Sequence, residues 1–323
     1  MYEFIYLLKT IAAILITNSH FDNLYPISAL SIGGSLGNTL FFLVSGFLIS
    51  ERIECGLRKW YFARCKRLYP SYWIINGIYV LLGIVQISSI SDIIGRFIIP
   101  VNSFWFIGAI LIFYFLFYFV IKSGKKYLNI WIGLSVAVYF IAYVFFKDLS
   151  QWSIEDSGYF KFIYYFVVML VGYYMKSNVG IVDKFAKKRM CACIDATVIS
   201  IIAFLLTKVA MLYIEGFSYF QFLVQLTTLS FGVFCFLSAF SFEKKLKEKA
   251  CTHLSKILHV IGSSTLEIYL VNYVVANWAQ QLPFPINIVI AFCAIFVIGI
   301  GVHYFVNTIF LRKIVGNCLV RRK

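Results

Sequence analysis

The sequence predicts an all-α, polytopic transmembrane helix bundle of about ten helices with both termini cytoplasmic, and three observations predict it. The chain is 61% hydrophobic and only 13% charged, where soluble domains carry about 25% charged residues. Its mean hydropathy of +0.86 represents more apolar surface than a water-soluble fold can hide. Apolar runs recur throughout the 323 residues with only short polar breaks, which predicts one integral membrane domain over 1–323 instead of about two soluble ones. Basic residues gather in alternate breaks, as they do in short loops kept in the cytoplasm.

A hydrocarbon core about 30 Å thick takes roughly 20 apolar residues per helix. That ruler places spans at 3–20, 36–51, 70–88, 103–121, 129–146, 160–176, 191–213, 219–241, 258–278 and 286–311. The start, Met1-Tyr2-Glu3-Phe4, lacks the basic region and small-residue cleavage site of a signal peptide, so the first run is expected to stay as a helix. After span two come Arg52, Arg58, Lys59, Arg64, Lys66 and Arg67; after span four, Lys122, Lys125 and Lys126. Spans six, eight and ten are followed by Lys176, Lys184, Lys187, Lys188 and Arg189, by Lys244, Lys245, Lys247, Lys249 and Lys256, and by Arg312, Lys313, Arg321, Arg322 and Lys323. The opposite loops hold only Arg96, Lys147, Lys161 and Lys208, among Asp22, Asp92, Asp148, Glu155, Asp156 and Glu215. Both termini are therefore assigned to the cytoplasm and the loop after His20 to the outside.

The formal charge of +15 sits in those short loops and reports orientation, so no nucleic acid is expected. The eight cysteines lie inside spans (Cys235, Cys293) or on the cytoplasmic side (Cys55, Cys65, Cys191, Cys193, Cys251, Cys318), so disulfides are not expected. Cys191 and Cys193 are too close for a standard zinc knuckle, and no metal is expected.

Charge inside a span is expensive and marks function by default. Lys9 and His20 stand eleven residues apart in the first span, nearly three whole turns, which puts both on one helix face about 16 Å apart. A snorkelling lysine and an interfacial histidine explain the same pattern. Glu267 lies in span nine at roughly the depth of Lys9, where the two form a structural ion pair or Glu267 takes a catalytic role. Arg64-Cys65-Lys66-Arg67 precedes Tyr69-Pro70, with Pro70 in the first turn of span three. Two arginines three residues apart share a face and suit a polyphosphate, although positive-inside anchoring would also place cations there. In span two, the small residues of Gly37-Asn38 and Ser45-Gly46 allow close helix approach, and Asn38 and Ser45 offer interhelical hydrogen bonds.

In combination these segments resemble acyltransferase family 3, membrane proteins that O-acylate sugars at the outer face of bacterial membranes. The family's basic residue, ten residues, His pattern matches Lys9 and His20, and its Phe-Phe and Ser-Gly-Phe-Leu pattern matches Phe41, Phe42, Ser45, Gly46, Phe47 and Leu48. Its Arg-x-x-Arg and Tyr-Pro element matches Arg64, Arg67, Tyr69 and Pro70; its Trp-Phe matches Trp105 and Phe106; its late Ser-x-x-x-Tyr-Leu element matches Ser264 or Thr265, then Tyr269 and Leu270. Two positions depart. The first basic residue is commonly Arg, so Lys9 keeps the charge without the planar fork, and Asn272 stands where the family often has a second His.

The resemblance implies an acyl-CoA donor, acetyl-CoA or a longer acyl-CoA such as succinyl, docked by Arg64, Lys66 and Arg67 on the cytoplasmic side. It implies a saccharide acceptor at the far side, in a multi-pass protein of the cytoplasmic membrane. Lys9 would guide or neutralise the donor or an acidic partner. His20 would act as general base on a sugar hydroxyl or carry the acyl group transiently, with Asp22 orienting it only if the helix ends there. Asn38, Ser45, Trp105, Glu267 and Tyr269 would support substrate or structure. Faces rich in Phe and Tyr leave room for a homodimer. A transporter or flippase for a lipid-linked saccharide, or a non-catalytic scaffold for glycan assembly, remains the alternative.

Overall fold

A computed structural model of the chain describes residues 2–98, 104–149, 160–250 and 252–311, and every regular element among them is helical. In order these are α1 (Glu3–Asn18), α2 (Gly34–Leu48), α3 (Gly56–Leu81), α4 (Ile90–Ile93), α5 (Trp105–Ser123), α6 (Leu128–Phe146) and α7 (Phe160–Ser177). There follow α8 (Val179–Lys188), α9 (Met190–Tyr213), α10 (Phe222–Ser241), α11 (Glu243–Glu248), α12 (His253–Ser263), α13 (Thr265–Ala279) and α14 (Ile286–Val306). Cys251, Cys318, Glu155, Asp156 and the tail residues Arg312, Lys313, Arg321, Arg322 and Lys323 lie outside the described residues.

The chain is an all-α, multi-pass helix bundle, and a helix meets each of the ten expected spans. Among the described residues, six helices are long and apolar enough to cross a membrane, or eight if the interrupted pairs α7 with α8 and α12 with α13 are each one crossing. Helix α1, at 16 residues, is short for a bilayer core, and α3 carries its basic cluster inside the helix. On α9 and α14 large apolar side chains such as Leu206 (63% exposed) and Val297 (70%) point away from the protein, as lipid-facing residues do.

Four local expectations change. First, α1 stops at Asn18, so His20 stands on a turn and the shared helix face with Lys9 does not extend to it. Second, α3 begins at Gly56 and runs through Pro70, which sits in the helix interior instead of its first turn. Lys and Arg are good helix formers, and the exposed basic stretch continues the helix towards the N-terminus. Third, the span at 258–278 is interrupted at Ser264, where Gly262-Ser263-Ser264 supplies poor helix formers. Glu267 thereby falls in the first turn of α13, where a carboxylate complements the helix dipole. Fourth, α7 is followed after an 89° bend by α8, whose Lys184, Lys187 and Lys188 are exposed while Val182 and Ala186 are buried.

The chain divides into two compact units. Unit 1 comprises Met1–Ile16, Gly33–Glu51 and Ser123–Gly262. In it α2 and α7 meet backbone to backbone: a Cβ on Gly46 would overlap the Met169 carbonyl, and one on Gly172 would overlap that of Leu43. Gly37 lies against Ala12 and Ile16 of α1, so the small residues of span two do permit close approach. Tyr164 joins α2 to α10, its hydroxyl 3.2 Å from Thr39 Oγ1 and 2.7 Å from Thr228 Oγ1. At the start of α1, the Phe4 amide donates to Glu243 (2.9 Å) and Glu3 meets His259 Nε2 (2.5 Å).

Unit 2 comprises Thr17–Ile32, Arg52–Lys122 and Ser263–Lys323. Here α3, α13 and α14 pack together. The Tyr79 hydroxyl donates to the Leu270 carbonyl (2.8 Å), and Gly299 lies against Ile268. A polar chain, buried at Ser71 and Glu267 and half-buried at His303 and Asn307, crosses the three helices: Ser71 donates to Glu267 Oε1 (2.5 Å), Glu267 Oε2 meets His303 Nδ1 (3.2 Å), and His303 Nε2 meets Asn307 Nδ2 (2.8 Å).

Candidate active site

The site grows from the end of α1. Beyond Asn18 the chain turns, with the His20 amide donating to the Thr17 carbonyl (3.1 Å) and the Phe21 amide to that of Asn18 (3.1 Å). Asn18 fixes the following loop, its Nδ2 donating to the carbonyls of Leu30 (2.9 Å) and Ile32 (2.8 Å) while Oδ1 accepts from the Tyr25 hydroxyl (2.6 Å). Phe21 is fully buried, edge-on to Phe292. These ties hold His20 half-buried on a defined turn.

His20 lines a cavity of 360 Å³ whose other walls include Tyr79, Arg96, Phe104, Trp105 and Tyr269. The ring of Tyr269 is 6.5 Å from the imidazole and packs against Phe104 and Phe106. Burial pulls the His20 pKa below its ordinary value, and the Asp22 carboxylate opposes that pull without overcoming it. The imidazole is therefore neutral near pH 7, the form a base requires. The helix end that Asp22 needs in order to act on His20 is present.

The cavity thus brings together three residues expected from sequence, His20, Trp105 and Tyr269. The others are placed elsewhere. Lys9 is half-buried on α1 within unit 1, as are Asn38 and Ser45 on α2. Glu267 is buried in unit 2, with its two carboxylate oxygens engaged by Ser71 and His303. Ser71, Glu267 and His303 do not form a nucleophile triad, because the hydroxyl donates to the carboxylate and not to the imidazole. Arg64 is half-buried, its guanidinium 3.3 Å above the Trp60 ring and donating to the Trp60 carbonyl (2.8 Å). Burial lowers its pKa to about 10, with Tyr114 pulling upward and Arg67 downward, so it stays charged at neutral pH. Lys66 and Arg67 are exposed. Asn272, in place of the family's second His, accepts from the Thr17 hydroxyl (3.1 Å).

Sequence reasoning missed Arg96, Tyr79, Ser71 and His303. Arg96 had a signal, being one of few cations in loops otherwise acidic. His303 had a weaker one as one of four histidines, and nothing local distinguishes Ser71 or Tyr79 from ordinary helix residues.

A family model described as an acyltransferase domain matches residues 2–307, nearly the whole chain. Comparison with curated proteins found no match, nor did comparison with solved structures. The family match and the multi-pass helices agree: the chain belongs to acyltransferase family 3, membrane enzymes that transfer acyl groups.

Proposed function

We propose that this protein transfers an acetyl group from cytoplasmic acetyl-CoA to a hydroxyl of an extracytoplasmic saccharide, with His20 as the general base. The observation that carries this reading is the half-buried His20 in a cavity walled by Phe104, Trp105 and Tyr269. Aromatic faces suit the C–H faces of a sugar ring, and one imidazole suits the hydroxyl that must lose its proton. The hydroxyl proton passes to His20 as its oxygen adds to the thioester carbon. Collapse of the adduct then breaks the C–S bond, and the proton on His20 goes to the departing thiolate. The products are an ester and free CoA.

In this reading the exposed Lys66 and Arg67, with Arg64 held over Trp60, grip the phosphates of the donor. Lys9 neutralises an anionic group of the donor or of an acidic partner, and Asn38 and Ser45 support the helices around it. The bias of Lys and Arg to alternate loops supports cytoplasmic termini, and the reading takes the protein to lie in the cytoplasmic membrane. Two copies pairing through aromatic helix faces would give a homodimer.

The test uses the purified protein in liposomes with labelled acetyl-CoA and a surface-glycan extract. Release of free CoA with label entering ester groups on the glycan is the expected result. Intact acetyl-CoA after prolonged incubation would overturn the reading. So would unchanged ester content in surface glycans from cells lacking the protein.

A further inference from the structure

Arg96 occupies a position that the acid/base role of His20 leaves unused. Arg96 lines the same 360 Å³ cavity, and the segment that presents it is tightly tied. Ser89 and Asp92 cap the start of α4: the Ser89 hydroxyl accepts from the Asp92 amide (3.1 Å), and Asp92 Oδ2 accepts from the amides of Ser88 (3.0 Å) and Ser89 (2.9 Å). The π-helical turn Ile94–Ile98 follows. Its last three carbonyls are all claimed by α3: Tyr72 donates to that of Arg96, Trp73 to that of Phe97 (2.8 Å) and Tyr69 to that of Ile98 (2.7 Å).

The backbone is thus fixed without help from the arginine side chain. That side chain makes one hydrogen bond to the described protein, Nη1 to Asn76 Oδ1 at a long 3.5 Å; its charge adds to the Ser88 and Ser89 hydrogen bonds that lower the pKa of the exposed Asp92, but no carboxylate among the described residues lies within ion-pair distance of it. A guanidinium carries five N–H donors and a charge that does not titrate, so most of its donors are not taken up by the described protein.

We propose that Arg96 is a second catalytic residue, stabilising the oxyanion that forms on the acyl carbonyl oxygen as the acceptor adds. This rests on the acyl-transfer reading of the His20 cavity. When the acceptor oxygen bonds to the thioester carbon, the carbonyl π pair moves onto oxygen and the proton resides on His20. Collapse restores the C=O bond, expels the thiolate and returns that proton to it. His20 and Arg96 line one cavity at the small end of ligand sites, so a single thioester carbonyl can meet both residues. Aromatic walls lower the local dielectric and strengthen the interaction. A permanent anion on the acceptor would instead be held equally before and during reaction, and kinetics separate the two cases.

The experiment measures CoA release from acetyl-CoA, with a surface-glycan extract titrated as acceptor, by wild type, Arg96→Gln, Arg96→Lys and Arg96→Ala in liposomes. Arg96→Gln should lower kcat by roughly 10²- to 10³-fold, the usual cost of one oxyanion donor, with KM for acetyl-CoA and apparent KM for the extract unchanged. Arg96→Lys should fall between, and added guanidinium ion should restore part of the rate of Arg96→Ala, which a structural role would not allow. A kcat within about threefold of wild type at saturating extract would overturn the proposal, including the case in which only the extract KM rises. Should Arg96→Gln fail to fold, the Lys variant and the guanidinium rescue decide. No CoA release by wild type would sink the acyl-transfer reading itself, whereas normal wild-type release with an unaffected Arg96→Gln would sink this inference alone.

Discussion

The two units of the chain differ in what stands out within each. Unit 1 excludes space: Gly46 and Gly172 bring α2 and α7 into backbone contact, and Gly37 does the same against α1. Unit 2 keeps space and polarity, with a 360 Å³ cavity, a tied loop presenting Arg96, and a polar Ser71–Glu267–His303 chain. Within a membrane there is little hydrophobic force between helices, so close packing of small residues supplies cohesion. Buried ionisable groups, by contrast, are expensive and are kept where they do work. Gly46 of the Ser-Gly-Phe-Leu segment thus packs helices together, while His20, on the turn after α1, faces the cavity to which the proposed chemistry is assigned.

That contrast can be broken first at its strongest point. Gly46→Leu should cost about 4 kcal/mol or more, because backbone on both sides leaves the new side chain nowhere to go. Loss of a monodisperse detergent-solubilised protein is the readout, and a normal melting curve would refute close packing as the organising feature of unit 1. In unit 2, Glu267→Gln should cost about 2 kcal/mol, by weakening charge-assisted hydrogen bonds to Ser71 and His303. Its melting temperature should fall while the residual folded protein keeps its turnover per molecule; a selective loss of kcat at unchanged stability would move Glu267 into the chemistry.

The double variant Arg64→Ala with Arg67→Ala should weaken acetyl-CoA binding about tenfold at low salt and less at high salt, checked by equilibrium binding. Unchanged affinity removes the docking role. Burial dominates His20 and lowers its pKa, so the base form survives on acidification. The kcat/KM for acetyl transfer should accordingly be flat through pH 7 and fall only below about 6.5, the unperturbed imidazole value. Since Asp22 raises that pKa, Asp22→Asn should move the acid limb to still lower pH. A shift in the other direction contradicts the assignment. Smallest of all, Lys187→Ala removes an exposed i,i+4 pair with Asp183 (2.8 Å) and should change stability by no more than about 0.5 kcal/mol.

Much of this was legible in the sequence because it is carried by composition and by local pattern. Ten apolar runs marked where helices would form, and His20, Trp105 and Tyr269 belong to ordered motifs that meet at one cavity. What failed is what depends on helix ends and partners distant in sequence. The apolar ruler read His20 as helical and started span three at Pro70, since it weighs hydropathy and not the helix propensity of Lys and Arg. An unbroken apolar run implies one depth for Glu267, whereas the helix is interrupted at Gly262-Ser263-Ser264. Arg96 was counted only as a charge in a loop, because the α3 residues Tyr69, Tyr72 and Trp73 that strap its segment lie over twenty residues earlier. Ser71 and His303 reach Glu267 across 196 and 36 residues of chain, separations at which no local spacing rule applies.

The most direct measurement compares CoA release from acetyl-CoA by folded wild type and by His20→Ala at equal protein and pH 7. A loss of about 10²- to 10⁴-fold, the range of a well-placed general base, with an unchanged melting curve is the result that follows from a neutral imidazole acting in the unit 2 cavity. Wild-type release from the His20→Ala protein would contradict it.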